Sequence, residues 1–166
     1  MASSLAVTLN MILSSVHTNA FDLSTPSENL RLDLTDTLAN GTSADQANEM
    51  WHDRRSLAAT TESIDLAGSL TNIFGETLTF TSIVALIIHN RNTTVGHTLT
   101  IGGAAANAFT LFADTSDKYV LGPNGVFMVW EPSAAGKTVT AATGDILKMD
   151  AGANTISYDI IVIGRD

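Results

Sequence analysis

The only arrangement in this chain that points at phosphate chemistry is Ala134-Ala135-Gly136-Lys137-Thr138, a small-residue turn ending in Gly-Lys-Thr after the apolar run 126–130. A phosphate-binding loop needs glycine five positions before Gly136, so that backbone amides can wrap the phosphate, and it needs a helix after the lysine. The earlier position is Glu131, and Thr138-Val139-Thr140 continues as a strand-like run. The segment therefore reads as a hairpin turn. Trp51-His52-Asp53-Arg54-Arg55 is the densest polar cluster and sets a histidine beside a carboxylate. Adjacent side chains of a strand point to opposite faces, so the pair cannot act as a base with its orienter. Anchoring by Trp51 and ion pairing by Arg54 or Arg55 are the simpler roles.

Metal chemistry fares no better. His17, His52, His89 and His97 fall in no H-x-x-x-H or H-x-H spacing, and only His89 and His97 are near each other, across an expected turn. Asp114 and Asp117 flank Thr115-Ser116, which makes a turn, because a calcium loop needs several more oxygen ligands in register. With no cysteine, thiol catalysis, disulfides and thiolate metal sites are excluded. The expectation is a protein that is not an enzyme, with no catalytic residue, no cofactor and no metal.

Composition points to assembly. Of 166 residues, 45% are apolar and only 15% charged, against the roughly 25% usual in globular domains. Charge is what normally keeps exposed strand edges apart, so a charge-poor β-protein is expected to have its edges covered by partners. The 17 acidic and 8 basic residues give a net charge of -9, the wrong sign for a phosphate backbone. No nucleic-acid partner is expected. The N-terminal apolar residues lack a basic flank and are broken by Thr8, Asn10, Ser14 and Ser15, so neither a signal peptide nor a membrane span is expected.

The elements that position these residues are strands. Leu5, Val7, Leu9 and Met11 alternate with polar residues, and after a break at Ser24-Thr25-Pro26-Ser27 so do Leu30, Leu32 and Leu34. A period of two is the mark of a half-buried strand, and these two runs read as one ribbon. Residues 44–50, with Ser43 as N-cap, carry the only helical character. Further strands are expected over 55–60, 62–66, 76–90, 97–101, 109–112, 118–121, 126–130, 138–141, 145–149 and 155–163, separated by glycine-marked turns that include Ala67-Gly68. The runs 83–88 and 160–163 are apolar on both faces, as central strands are.

Short strands at this spacing with no crossover helices predict an all-β fold, an antiparallel β-sandwich or jelly roll with an N-terminal β-ribbon or arm and at most one short helix. The division expected is a ribbon or arm over 1–44 and a sandwich domain over 45–166. Two strands alone cannot cover their own apolar face, so the ribbon must meet the sandwich or a neighbour. Leu5, Val7, Leu9, Met11, Leu30, Leu32 and Leu34, with Trp51, Arg54 and Arg55, are the candidate interface residues.

A resemblance adds to this. Met50-Trp51-His52-Asp53-Arg54-Arg55, Ile64-Asp65-Leu66-Ala67-Gly68, Gly102-Gly103-Ala104-Ala105, Gly122-Pro123-Asn124-Gly125 and Tyr158-Asp159-Ile160-Ile161-Val162-Ile163-Gly164 resemble a group of small virion proteins encoded by tailed bacteriophages, and Asp22-Leu23-Ser24-Thr25-Pro26 extends the likeness across most of the chain. The group includes capsid decoration (cement) proteins, tail tube or connector proteins and receptor-binding tips. The resemblance implies a structural protein made in the host cytoplasm and placed on the capsid exterior, a homotrimer whose partner is the major capsid protein. The second expectation is a tail or receptor-binding component that recognises host or glycan.

Overall fold

Strand alternation organises nearly the whole chain. The computed structural model describes residues 4–166, in which the strands are β1 (Val7–Thr18), β2 (Ser27–Asn40), β3 (Gln46–Ala47), β4 (Glu49–Ala58), β5 (Thr61–Asp65), β6 (Ala67–Thr71), β7 (Thr77–Thr79), β8 (Ser82–Asn90), β9 (Leu99–Gly102), β10 (Lys118–Leu121), β11 (Val126–Trp130), β12 (Lys137–Thr138), β13 (Ile146–Asp150) and β14 (Thr155–Arg165). The protein is all-β, as the period-two pattern predicts. The first three residues of the expected 1–44 segment lie outside the described residues.

Two antiparallel sheets face each other, one ordered β10-β9-β13-β5 and the other β11-β8-β14-β4, with β12 also beside β8. Consecutive pairs β4 and β5, β8 and β9, β10 and β11, and β13 and β14 each cross from one sheet to the other. The core lies between the sheets: Ile64, Leu99, Ile101, Leu147 and Met149 from one meet Leu57, Leu86, Ile88, Ile156 and Ile160 from the other. Each such side chain contributes on the order of 2 kcal/mol by leaving water. The expected central runs are central strands, since β8 lies between β11 and β14, and β14 between β8 and β4.

Three local expectations are corrected. Residues 44–50 form no helix: Asp45 has a positive φ of 55°, β3 pairs in parallel with the end of β2, and β4 starts at Glu49. Seven residues are too few to offset the cost of helix nucleation, and burial of Ala47 under the ribbon favours the extended form. Ala67-Gly68 is not a turn but lies in β6, which pairs with β7 across a bulge that Gly68 accommodates at a φ of 117°. Residues 109–112 form no strand. Phe109 and Leu111 are buried side chains of an irregular segment, held where the Phe109 amide donates to the Ile146 carbonyl at 2.9 Å.

Candidate interaction surface

β1 and β2 pair along their whole length, with Val7 opposite Leu38, Met11 opposite Leu34, Leu13 opposite Leu32 and Thr18 opposite Ser27. Directly opposed residues share a face, so this register stacks Leu9, Met11, Leu13, Leu30, Leu32 and Leu34 on one side of the ribbon. The other side carries Thr8, Asn10, Ser14, Arg31, Asp33 and Thr35, with Ile12 and Val16 among them. Twelve residues of β1 span about 40 Å. Beyond Leu9 every residue of β1 is exposed, as is every residue of β2 from Ser27 to Thr35, so most of the ribbon's length stands clear of the sandwich.

The root of the ribbon is fixed. Leu38, Ala47, Val84, Ala85 and Ile163 form a second buried cluster on the outer face of the β8–β14 sheet, with Leu5, Val7, Met50, Trp130 and Ile161 packed around it. The Trp130 indole donates to Asp36 Oδ2 at 2.7 Å, and the Leu5 amide donates to Asn40 Oδ1 at 2.9 Å. Arg165, only 2% exposed, donates from its guanidinium to the carbonyls of Gln46 (2.9 Å), Ser133 (2.9 Å), Ala134 (3.0 Å) and Pro132 (3.3 Å). One cation thus ties the strand beside the ribbon to the loop after β11. Gly164 precedes it at a register shift in the β14–β8 ladder, where a Cβ would sit 2.3 Å from the Ser82 carbonyl oxygen.

At the far end, residues 19–26 close the ribbon. The Asn19 amide donates to Pro26 O at 3.2 Å and the Phe21 amide to Ser24 O at 2.8 Å. Phe21 and Leu23 stand out into solvent, Leu23 at 99% exposure. Along the stripe, exposure runs from 36% at Met11 to 54% at Leu30. A continuous exposed apolar stripe on a charge-poor ribbon is the candidate interaction surface of the described residues.

The expected interface residues divide into four groups. Met11, Leu30, Leu32 and Leu34 come together on the exposed stripe, whereas Leu5, Val7 and Leu9 are half-buried at or near the root. Trp51 is in the sandwich core at 6% exposure, with the Arg55 guanidinium 5.4 Å above its ring. Arg54 is on the outer face and bonds Asp159 at 2.7 Å. The alternation read from the sequence ended at Met11 and so missed Leu13, although Leu13 continues the odd-numbered apolar series. It also gave no role to Phe21 and Leu23, because loop residues follow no period.

The polar clusters have structural partners. Arg54 and Arg91 both bond Asp159 and hold its carboxyl down to about 2, the Arg54 hydrogen bond being the larger cause. Tyr158 is buried against the Glu62 carboxylate, and burial pushes its hydroxyl far above the ordinary tyrosine range. Lys137 pairs with Glu131 at 3.3 Å, the residue that occupies the glycine position of the phosphate-loop pattern. Asp114 accepts from the Ser116 amide at 2.9 Å within a turn. A groove of about 400 Å³ lies beside the root, between the start of β4 and the β6–β7 loop, where Ile73 and Phe74 are exposed. Among the described residues no three His, Asp or Glu side chains gather as a metal site. The chain matches no family model, no curated protein and no solved structure.

Proposed function

We propose that this protein is a structural component of a tailed-phage particle that decorates the capsid exterior and grips the major capsid protein through its N-terminal ribbon. The observation that carries the reading is the exposed apolar stripe of the ribbon, anchored at a rigid root. Decoration needs no chemistry. It needs apolar area presented far enough from the body to reach across subunit boundaries, and many weak contacts acting together over a lattice. A net charge of -9 suits an outer surface, away from packaged nucleic acid. The alternation of consecutive strands between a four-stranded and a five-stranded layer fits the winding of a jelly roll, an architecture used by viral capsid domains.

The test is binding to heads stripped of decoration. Purified chain is added to such capsids and sedimented, in parallel with a variant in which residues 12–33 are replaced by Asn-Gly, a turn that closes Met11 on Leu34. The intact chain is expected to pellet with capsids at fixed stoichiometry and the shortened one to stay in the supernatant with an unchanged melting temperature. Equal occupancy by both would overturn the role of the ribbon. Labelling of the tail or its tip in intact particles would move the protein to the tail or receptor-binding class.

A further inference from the structure

Among the described strands, β1 is the one long strand that combines an open edge with no charged residue, since the equally uncharged β8 is paired on both sides. Val7–Thr18 contains no Asp, Glu, Lys, Arg, Pro or Gly over 12 residues, whereas β2 carries Glu28, Arg31, Asp33 and Asp36. Of the strands that end the two sheets of the sandwich, β4, β5 and β10 carry charge, and the uncharged β11 is only five residues long. Among the described residues β1 pairs with β2 alone, and no backbone hydrogen bond reaches its other edge. Unpaired amides and carbonyls on a straight, neutral, proline-free strand are a template for another strand.

We propose that two copies of this chain pair β1 to β1, antiparallel about a two-fold axis through Ile12, and so join their ribbons into one four-stranded sheet ordered β2-β1-β1-β2. Two observations select a second copy as the occupant. A neutral edge offers no charge for a foreign strand to complement, and the neutral strand of matching length among the described residues is β1 itself. Antiparallel pairing requires opposed residues to share a face. Pairing residue i with residue 24 − i meets that condition, and it sets Met11 beside Leu13 of the second copy, giving two apolar rows, each running Leu34, Met11, Leu13, Leu32 across the four strands.

Growth stops at four strands, because both new edges are β2 with its charges. The pairing does not rest on capsid binding. It forms along the edge of the ribbon and leaves the apolar face open for whatever the joined platform grips.

The experiment uses the purified full chain, which has no cysteine. Sedimentation equilibrium is expected to give the mass of two chains. Ile12→Lys places two like charges at the axis and is expected to raise the dissociation constant at least tenfold. The monomer tolerates that change, since Ile12 is exposed and opposite Asp33. Leu32→Lys, on the face and away from the edge, is expected to keep the two-chain mass while losing capsid binding. Oxidation of Ile12→Cys is expected to give a disulfide-linked pair, and Val16→Cys, which lies opposite Thr8 of the second copy, is not. A one-chain or three-chain mass overturns the proposal. So does an Ile12→Lys variant that remains paired, or a Leu32→Lys variant that dissociates as readily as Ile12→Lys. Paired chains that fail to bind capsids overturn the capsid reading alone.

Discussion

Arg165 holds four carbonyls and, among the described residues, has no carboxylate within ion-pair distance, so backbone dipoles balance its charge. Removing the guanidinium strands those carbonyls in a dry site, and hydrogen bonds to a charged group are each worth about 1.5–3 kcal/mol. Arg165→Met is expected to lower stability by at least about 3 kcal/mol in urea unfolding and to loosen the ribbon root, read as faster amide exchange at Gln46. Gly164→Ala should cost about 2 kcal/mol or more by the same measurement, because its Cβ meets the Ser82 carbonyl and the buried Phe80 ring. Asp159 gives a pH signature. Its carboxyl titrates at about 2 in the folded chain, below the roughly 3.9 of an unfolded aspartate, so its stabilising contribution is present above about pH 4 and is lost as pH falls toward 2. Asp159→Asn is expected to shrink the difference between urea midpoints measured at pH 5 and at pH 2.5. None of the three residues was legible as structural from the sequence. An arginine after an apolar run, a glycine at the end of that run and an aspartate between a tyrosine and an isoleucine acquire their roles only from Gln46 and the 132–134 loop, from Ser82, and from Arg54 and Arg91, which lie far away in the chain.

The ribbon was the most legible of the elements, since Val7, Leu9 and Met11 and then Leu30, Leu32 and Leu34 each repeat every second residue. Register was not, because a hydrophobic pattern fixes which face a residue joins and leaves open which residue it opposes. The helix expected over 44–50 shows the opposite failure, in which weak local propensity yields to pairing with β2. β6 was hidden by Gly68, which reads as a turn in one dimension and is a bulge in three. Stability should divide along the same lines. Shortening the ribbon beyond Met11 and Leu34 removes no buried side chain, so the sandwich is expected to melt within about 2 °C of the intact chain by circular dichroism.

At the scale of the whole molecule, low charge and strand-rich composition pointed to covered edges, and an exposed ribbon with a neutral edge is the form that this takes. The net charge of -9 opposes association of copies, whereas the edge that joins them carries no charge. Added salt screens the first and leaves the second, the Debye length falling from about 10 Å at 0.1 M to about 3 Å at 1 M. Two-chain association is therefore expected to hold or tighten in sedimentation runs as sodium chloride rises from 0.05 to 0.5 M, approximate limits set by that screening range. An interface built on ion pairs would weaken instead.

β14 lies between β4 and β8, yet it is the last of the strands along the chain. During synthesis β4 has no neighbour in its sheet until some hundred residues later, when 155–165 leave the ribosome, and until then β8 shows an open apolar edge to solvent. The sandwich therefore closes in one late, long-range step, of the kind that makes β-proteins fold slowly. Nascent chains stalled before Thr155 should be protease-sensitive from Glu49 onward and depend on chaperones for solubility, and release of β14 should convert them to the resistant form in a single transition.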